Sequence, residues 1–210
     1  MVEQDNLDNL VERLGDTEFL RDTARAVEFM GDFIRKSLSD GFYLTWRNEC
    51  YERLGEIGGE TASQILRDAI YSEPENNGKF IALKGYVAAN QESSIPLLHE
   101  MVRYPDFYVR ENAYGFLAQF NDTSAIPLLK KELVDFSKFD NLLQASTVFL
   151  KAGIAKALYR LTNEEHYRAI EIEAKDLNMK FSTYYKQGRE EEYNKLCGEF
   201  DSRVNEMINS

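Results

Sequence analysis

Two histidines and two cysteines are scattered through 210 residues, too few for the commonest metal and thiol chemistries. His99 and His166 belong to no H-x-x-x-H or C-x-x-C spacing, so the chain offers no dedicated metal ligand set and no cofactor is expected. Cys50 and Cys197 stand far apart in helical contexts and read as buried small hydrophobes, not as a disulfide. No glycine-rich phosphate loop of the P-loop or Rossmann kind occurs. No apolar run reaches the roughly eighteen residues that a transmembrane helix needs. The opening MVEQDNLDNLVERLG is acidic and lacks an apolar centre, so the expectation is no secretory signal and a cytoplasmic location. Only four prolines and twelve glycines interrupt the chain, which suits helix.

Positive charge is also short. Lys and Arg total 25 against 36 Asp and Glu, a formal net charge of −11. Binding to a phosphate backbone rests on cationic neutralisation, so nucleic acid is not an expected partner. A helical-repeat DNA glycosylase needs a basic channel, which this charge and a single tryptophan oppose. Anionic membranes are disfavoured for the same reason. Such a field steers a basic protein inward, or it serves solubility alone. The 43% of apolar residues is enough to build a sizeable core.

What is present is a repeat. Ser93-Ser94-Ile95-Pro96-Leu97-Leu98 returns as Ser124-Ala125-Ile126-Pro127-Leu128-Leu129, and Asn90 returns as Asn121, at a constant offset of 31 residues. A period in this range marks a solenoid, in which each hairpin buries its apolar face against its neighbours. Ser93 or Ser124 is placed to cap the opening helix, with Pro96 or Pro127 in its first turn. Asp106 is the next cap candidate, and Val109, Ala113, Phe116, Leu117 and Phe120 follow at helical spacing. The pattern I-P-x-L, a turn with Asp, then V-R-x-x-A-x-x-x-L resembles the HEAT repeat. It is especially similar to the short bacterial HEAT-like repeats found in phycobilisome lyases. The resemblance implies an all-α, right-handed α-solenoid of about four HEAT-like hairpins with capping helices at both ends.

In chain order, one solenoid domain over residues 1–210 is expected in three stretches. Residues 1–58 hold N-terminal helices and a divergent repeat, 59–162 the HEAT-like repeats, and 163–210 a helical hairpin cap. Leu7, Leu10, Val11 and Leu14 predict a helix over 5–15, and Asp16 or Thr17 caps a second that runs to about Leu38. From Trp46, W-R-N-E-C-Y-E-R-L overlays V-R-E-N-A-Y-G-F-L from Val109, at an offset of 63. Thr61 opens the next repeat, Glu73 to Gly78 form its turn, and Lys79 to Ala89 its second helix. The repeat from residue 121 carries about ten extra residues around Phe136–Phe139. Beyond Asn163 come a long polar helix to residue 187, a break at Gly188, and a stripe of Tyr193, Leu196, Cys197, Phe200, Val204, Met207 and Ile208. That hairpin fits a terminal cap, or a helix kept for a partner.

Arg47, Lys79, Arg110 and Lys151 fall at one repeated position of the second helices. The HEAT-like resemblance implies that this cation ties neighbouring repeats through turn carboxylates and carbonyls. Asp106 and Glu75, four residues before Arg110 and Lys79, are the local partners expected. Tyr108, Glu111 and Tyr114 on one second helix, and Asn48, Tyr51 and Glu52 on another, fall off the apolar stripe. Lys84 and Lys156 share the position of Gly115. Tyrosines among mixed polar neighbours are the composition of a protein-binding surface. His99-Glu100 is similar to the His-Glu pairs of HEAT-like deoxyhypusine hydroxylases, but that family needs several pairs and this chain has one. No catalytic, cofactor-binding or metal residue is assigned. The expected function is a non-enzymatic module that holds one specific, basic protein partner, as an adaptor or an immunity or inhibitor protein. Two alternatives stand beside it: a subunit or chaperone similar to the E/F-type phycobilin lyases, and a structural subunit of a larger assembly.

Overall fold

The computed structural model describes residues 23–135 and 144–209, and among them every regular element is a helix. The expected helix at 5–15, its neighbour's cap at Asp16 or Thr17, and the Phe136–Phe139 insertion lie outside the described residues. The α-helices are α1 (Thr23–Ser37), α2 (Leu44–Ile57), α3 (Gly59–Ser72), α4 (Asn76–Asn90), α5 (Ile95–Met101), α6 (Phe107–Gln119), α7 (Ile126–Val134), α8 (Gln144–Thr162), α9 (Glu165–Lys186) and α10 (Glu190–Asn209). They fall into two compact units, residues 1–94 and 95–210.

In the first unit α1 packs on α2 and α3, and α2 and α3 both pack on α4. Ala26, Met30 and Phe33 of α1, Cys50 and Leu54 of α2, Leu66 and Ile70 of α3, and Ala82 and Leu83 of α4 recur at helical spacing and are all buried. Small residues let α2 and α4 approach until their backbones touch. A Cβ on Gly85 would lie 2.4 Å from the Tyr51 carbonyl oxygen, and one on Gly55 would lie 2.8 Å from Gly85 Cα.

In the second unit the helices pair as α5 with α6, α7 with α8, and α9 with α10, while α6 and α9 each pack on α8. Leu98, Met101, Val109, Ala113, Leu117, Leu129, Leu133, Ile154 and Leu158 form the core of the first two pairs. The apolar stripe anticipated on α10 is inward-facing at four of its seven positions, Leu196, Met207 and Ile208 being partly buried. Tyr193, Cys197, Phe200 and Val204 are buried, as are Tyr167, Ile170, Ala174 and Leu177 of α9. Helix α10 also contacts α7 and α8.

The helix ends carry the repeat most plainly. The residues Gly58, Gln91, Asn121 and Asn163, which follow α2, α4, α6 and α8, all have a positive φ, at 69°, 50°, 52° and 59°. A left-handed residue ends a helix by turning the chain back, and asparagine tolerates it better than most side chains. Two expected openings need correction. Ser93 and Ser124 do not cap α5 and α7, because short 3-10 turns, Gln91–Ser94 and Thr123–Ala125, precede both helices. Before α7 the cap is Asp122, at the start of its 3-10 turn, whose carboxylate accepts from Ser124 N at 3.1 Å and from Ser124 Oγ at 2.6 Å. Helix α4 starts at Asn76, ahead of the expected Lys79. Gly78 is no turn glycine but a buried helical one, where a Cβ would meet Glu73 Cγ at 2.6 Å. Asp106 does cap α6, accepting from Val109 N at 3.0 Å.

Candidate functional site

The repeated cation position fixes what the neighbouring side chains can do. Arg47 is completely buried, and its guanidinium forms a two-pronged pair with Glu73 at the end of α3, Nε to Oε2 at 2.8 Å and the second prong to Oε1 at 2.9 Å. Its remaining donor reaches the Ser37 and Asp40 carbonyl oxygens, at 2.6 and 2.9 Å. Tyr51, one turn along α2, donates its hydroxyl to the same Glu73 carboxylate at 2.6 Å. Burial alone would raise the Glu73 carboxyl, but hydrogen bonds from Arg47, Tyr51 and the Glu75 N–H outweigh it and hold it below its ordinary value. One arginine thus links the α1–α2 turn, α2 and the end of α3.

The second unit repeats the residue spacing with different bonds, Tyr114 donating its hydroxyl to the Val102 carbonyl oxygen at 3.4 Å. Arg110 and Tyr114 on α6 repeat the four-residue spacing of Arg47 and Tyr51, both are fully buried, and Glu132 near the end of α7 is buried close to them. Burial pulls the Arg110 guanidinium below its ordinary value, while Tyr114, Glu132 and Asp106 push it back up. Glu132 also accepts from Arg103 Nε at 2.6 Å. Lys151 on α8, likewise buried, reaches Asp201 of α10 at 2.6 Å. Lys79 departs from the pattern, being partly buried and forming no ion pair with Glu75.

Two of the tyrosines expected at the surface are therefore core residues. Tyr51 and Tyr114 are both 0% exposed, because each lies on the side of its helix that carries the buried arginine. Asn48 is partly buried, whereas Glu52 and Lys84 are exposed and pair at 3.2 Å across α2 and α4. In the second unit Tyr108 is 52% exposed, and Glu111, one turn on, is partly buried against α8, where it lies 3.5 Å from the Cβ position of Gly153. Burial raises the Glu111 carboxyl, and Lys156 opposes that shift.

The structure adds aromatic residues to the surface candidates. Phe107 packs edge-on to Tyr108, with centroids 5.1 Å apart, and reaches Phe149 of α8 at 5.2 Å. Phe149 is 38% exposed. Phe149 stands two residues before Lys151, as Tyr108 stands two before Arg110, so the repeat register itself carried the signal. The result is a half-exposed aromatic patch spanning two helices, with Glu111 at its side. In the first unit, Phe42 and Trp46 are exposed at the start of α2.

Other groups with chemical potential are engaged in structure. His99 Nε2 lies 2.5 Å from Asp122 Oδ2 and 3.5 Å from Ser124 Oγ. Both partners meet the same ring nitrogen and Ser124 donates to Asp122, so the histidine is not relayed between a carboxylate and a serine as a nucleophilic triad requires. Cys50 is buried and its thiol is driven well above the ordinary range by desolvation. An open groove of about 420 Å³ between α3 and α4 carries Ser63, Gln64, Arg67, Tyr86 and Asn90, with Ser63 donating to Asn90 Oδ1 at 3.1 Å. Among the described residues no group of three His, Cys, Asp or Glu is placed to hold a metal ion. Compared with protein-family models, curated proteins and solved structures, the chain matches none.

Proposed function

We propose that this chain is a non-enzymatic, HEAT-like solenoid module that holds a specific protein partner. The observation that carries the reading is the Tyr108–Phe107–Phe149 patch, in which rings from α6 and α8 stay half-exposed although apolar core is available in the same unit. Aromatic side chains at a surface supply large contact area at low entropic cost, and they dominate the energy of protein interfaces. The repeated helix ends and the stacking of second helices within each unit, α2 on α4 and α6 on α8, support the solenoid reading. The partner is basic, because the chain's formal charge of −11 steers cationic surfaces towards it. An adaptor or an inhibitor of a basic protein is the role that fits. The test is binding kinetics with the captured partner at two salt concentrations. Tyr108→Ala is expected to raise the dissociation rate by about 1–2 kcal/mol, and Glu111→Lys to slow association. Unchanged kinetics for both variants at both salt concentrations refutes the site.

A further inference from the structure

We infer that the start of α2 is a second docking surface, one that takes an extended segment of a partner protein bearing arginine or lysine. The inference rests on the protein-binding reading above but uses a different unit and different residues. Phe42 is 76% exposed and Trp46 is 36% exposed. They are four residues apart and so lie on one side of the helical path. Phe42 is not displayed by a loose loop. It sits in the 3-10 turn Gly41–Tyr43, whose cap Asp40 accepts from Phe42 N at 2.9 Å. The Asp40 carbonyl is itself held by buried Arg47 at 2.9 Å. The backbone that carries this large apolar ring is therefore held by the buried Arg47 network.

The same exposed face of α2 continues with Glu49, Glu52 and Glu56. Glu49 is paired with Arg53 at 2.8 Å and Glu52 with Lys84 at 3.2 Å, both at the surface. Exposed pairs of this kind are worth little and exchange readily for an incoming cation. Aromatic faces bind guanidinium and ammonium groups through the ring quadrupole, most strongly on tryptophan. The ordering of rings at the helix start and carboxylates along the next two turns suits a segment with cations spaced along its length. The charge of residues 1–94 agrees, with ten Lys and Arg against eighteen Asp and Glu.

Trp46 is the only tryptophan, so its emission reports this surface alone. The experiment titrates the full chain with a synthetic nine-residue peptide of alternating Arg and Gly, and in parallel with the matching Glu and Gly peptide. The expected result is saturable quenching by the arginine peptide only. The apparent Kd is expected to weaken at least fivefold in Glu49→Gln/Glu52→Gln, and likewise in Phe42→Ala, and the signal to vanish in 1 M NaCl. Glu190→Gln/Glu191→Gln on α10 removes the same charge from the other unit and leaves the titration unchanged. Absence of a saturable change overturns the inference, as does equal weakening in the α10 variant. An emission change that follows protein concentration without peptide assigns the face to self-association and also overturns it. Peptide binding that fails while Tyr108→Ala still releases the captured partner removes this surface and leaves the α6–α8 site standing. Peptide binding that holds while Tyr108→Ala has no effect does the reverse.

Discussion

Replacing Glu73 by glutamine keeps the shape of the side chain and removes only its charge. Arg47 then stays fully buried with its two carboxylate bonds, at 2.8 and 2.9 Å, converted to at best one bond to a neutral oxygen. The amide nitrogen must face the Arg47, Tyr51 or Glu75 donors, none of which can accept it in its present role. Breaking a buried ion pair from one side typically costs about 3–5 kcal/mol, because the remaining charge is left without compensation. Against a total of roughly 5–15 kcal/mol for a domain, such a loss is readily measured. Trp46 adjoins Arg47 in sequence, so chemical denaturation followed by its emission reports the first unit. Arg47→Met is expected to cost a similar amount. The double variant should cost less than the sum by about 2 kcal/mol or more, because no charge is then stranded. The pH dependence has a definite sign. Glu73 titrates lower in the folded chain than its ordinary 4.5, so its contribution is complete above that value and fades as pH falls through the folded, lower one. The Glu73→Gln chain should lack that part of the acid transition. A loss under about 1 kcal/mol, or strictly additive single variants, refutes the argument.

Gly85→Ala should lower the melting temperature by a loss of about 1–3 kcal/mol, since its Cβ meets the Tyr51 carbonyl at 2.4 Å and backbone yields little. Gly115→Ala, on the exposed side of α6 with nothing within 4 Å, should instead raise it by up to about 1 kcal/mol through helix propensity. Deleting residues 188–210 removes α10 from α7, α8 and α9 and takes Tyr193 away from Phe181 and Tyr184, so the truncated chain should expose apolar surface and self-associate in sedimentation.

The helices between residues 44 and 134, and from 144 onward, were legible because periodicity, proline and Asp106 act locally, within a few residues of where their effect appears. Tyr51 and Tyr114 read as outward in the sequence because neither fits a simple apolar stripe. What meets those positions inside is non-local: a carboxylate on the next hairpin, Glu73 for Tyr51 and Glu132 near Tyr114. The overlay at an offset of 63 had already paired Arg47 with Arg110 and Tyr51 with Tyr114, and a polar pair repeated in register is what a buried tie looks like in sequence. Gly78 misled for a related reason. Glycine ordinarily signals a turn, but here its missing side chain makes room for Glu73. Phe149 and Trp46 gave weaker signals, since exposure of a single aromatic depends on what packs beside it. Helix α10 was readable as an amphipathic stripe, while its contacts to α7 and α8 depend on chain topology.

The protein-binding claim is tested most directly by quantitative capture with three forms of the full chain, each checked for an unchanged melting curve. These are the native protein, Tyr108→Ala/Phe149→Ala, and Tyr185→Ala, the last an exposed aromatic change elsewhere on the second unit. A basic protein is expected to be retained by the native chain and by Tyr185→Ala, and to be lost from the Tyr108→Ala/Phe149→Ala chain. The same proteins captured by all three forms would contradict that expectation.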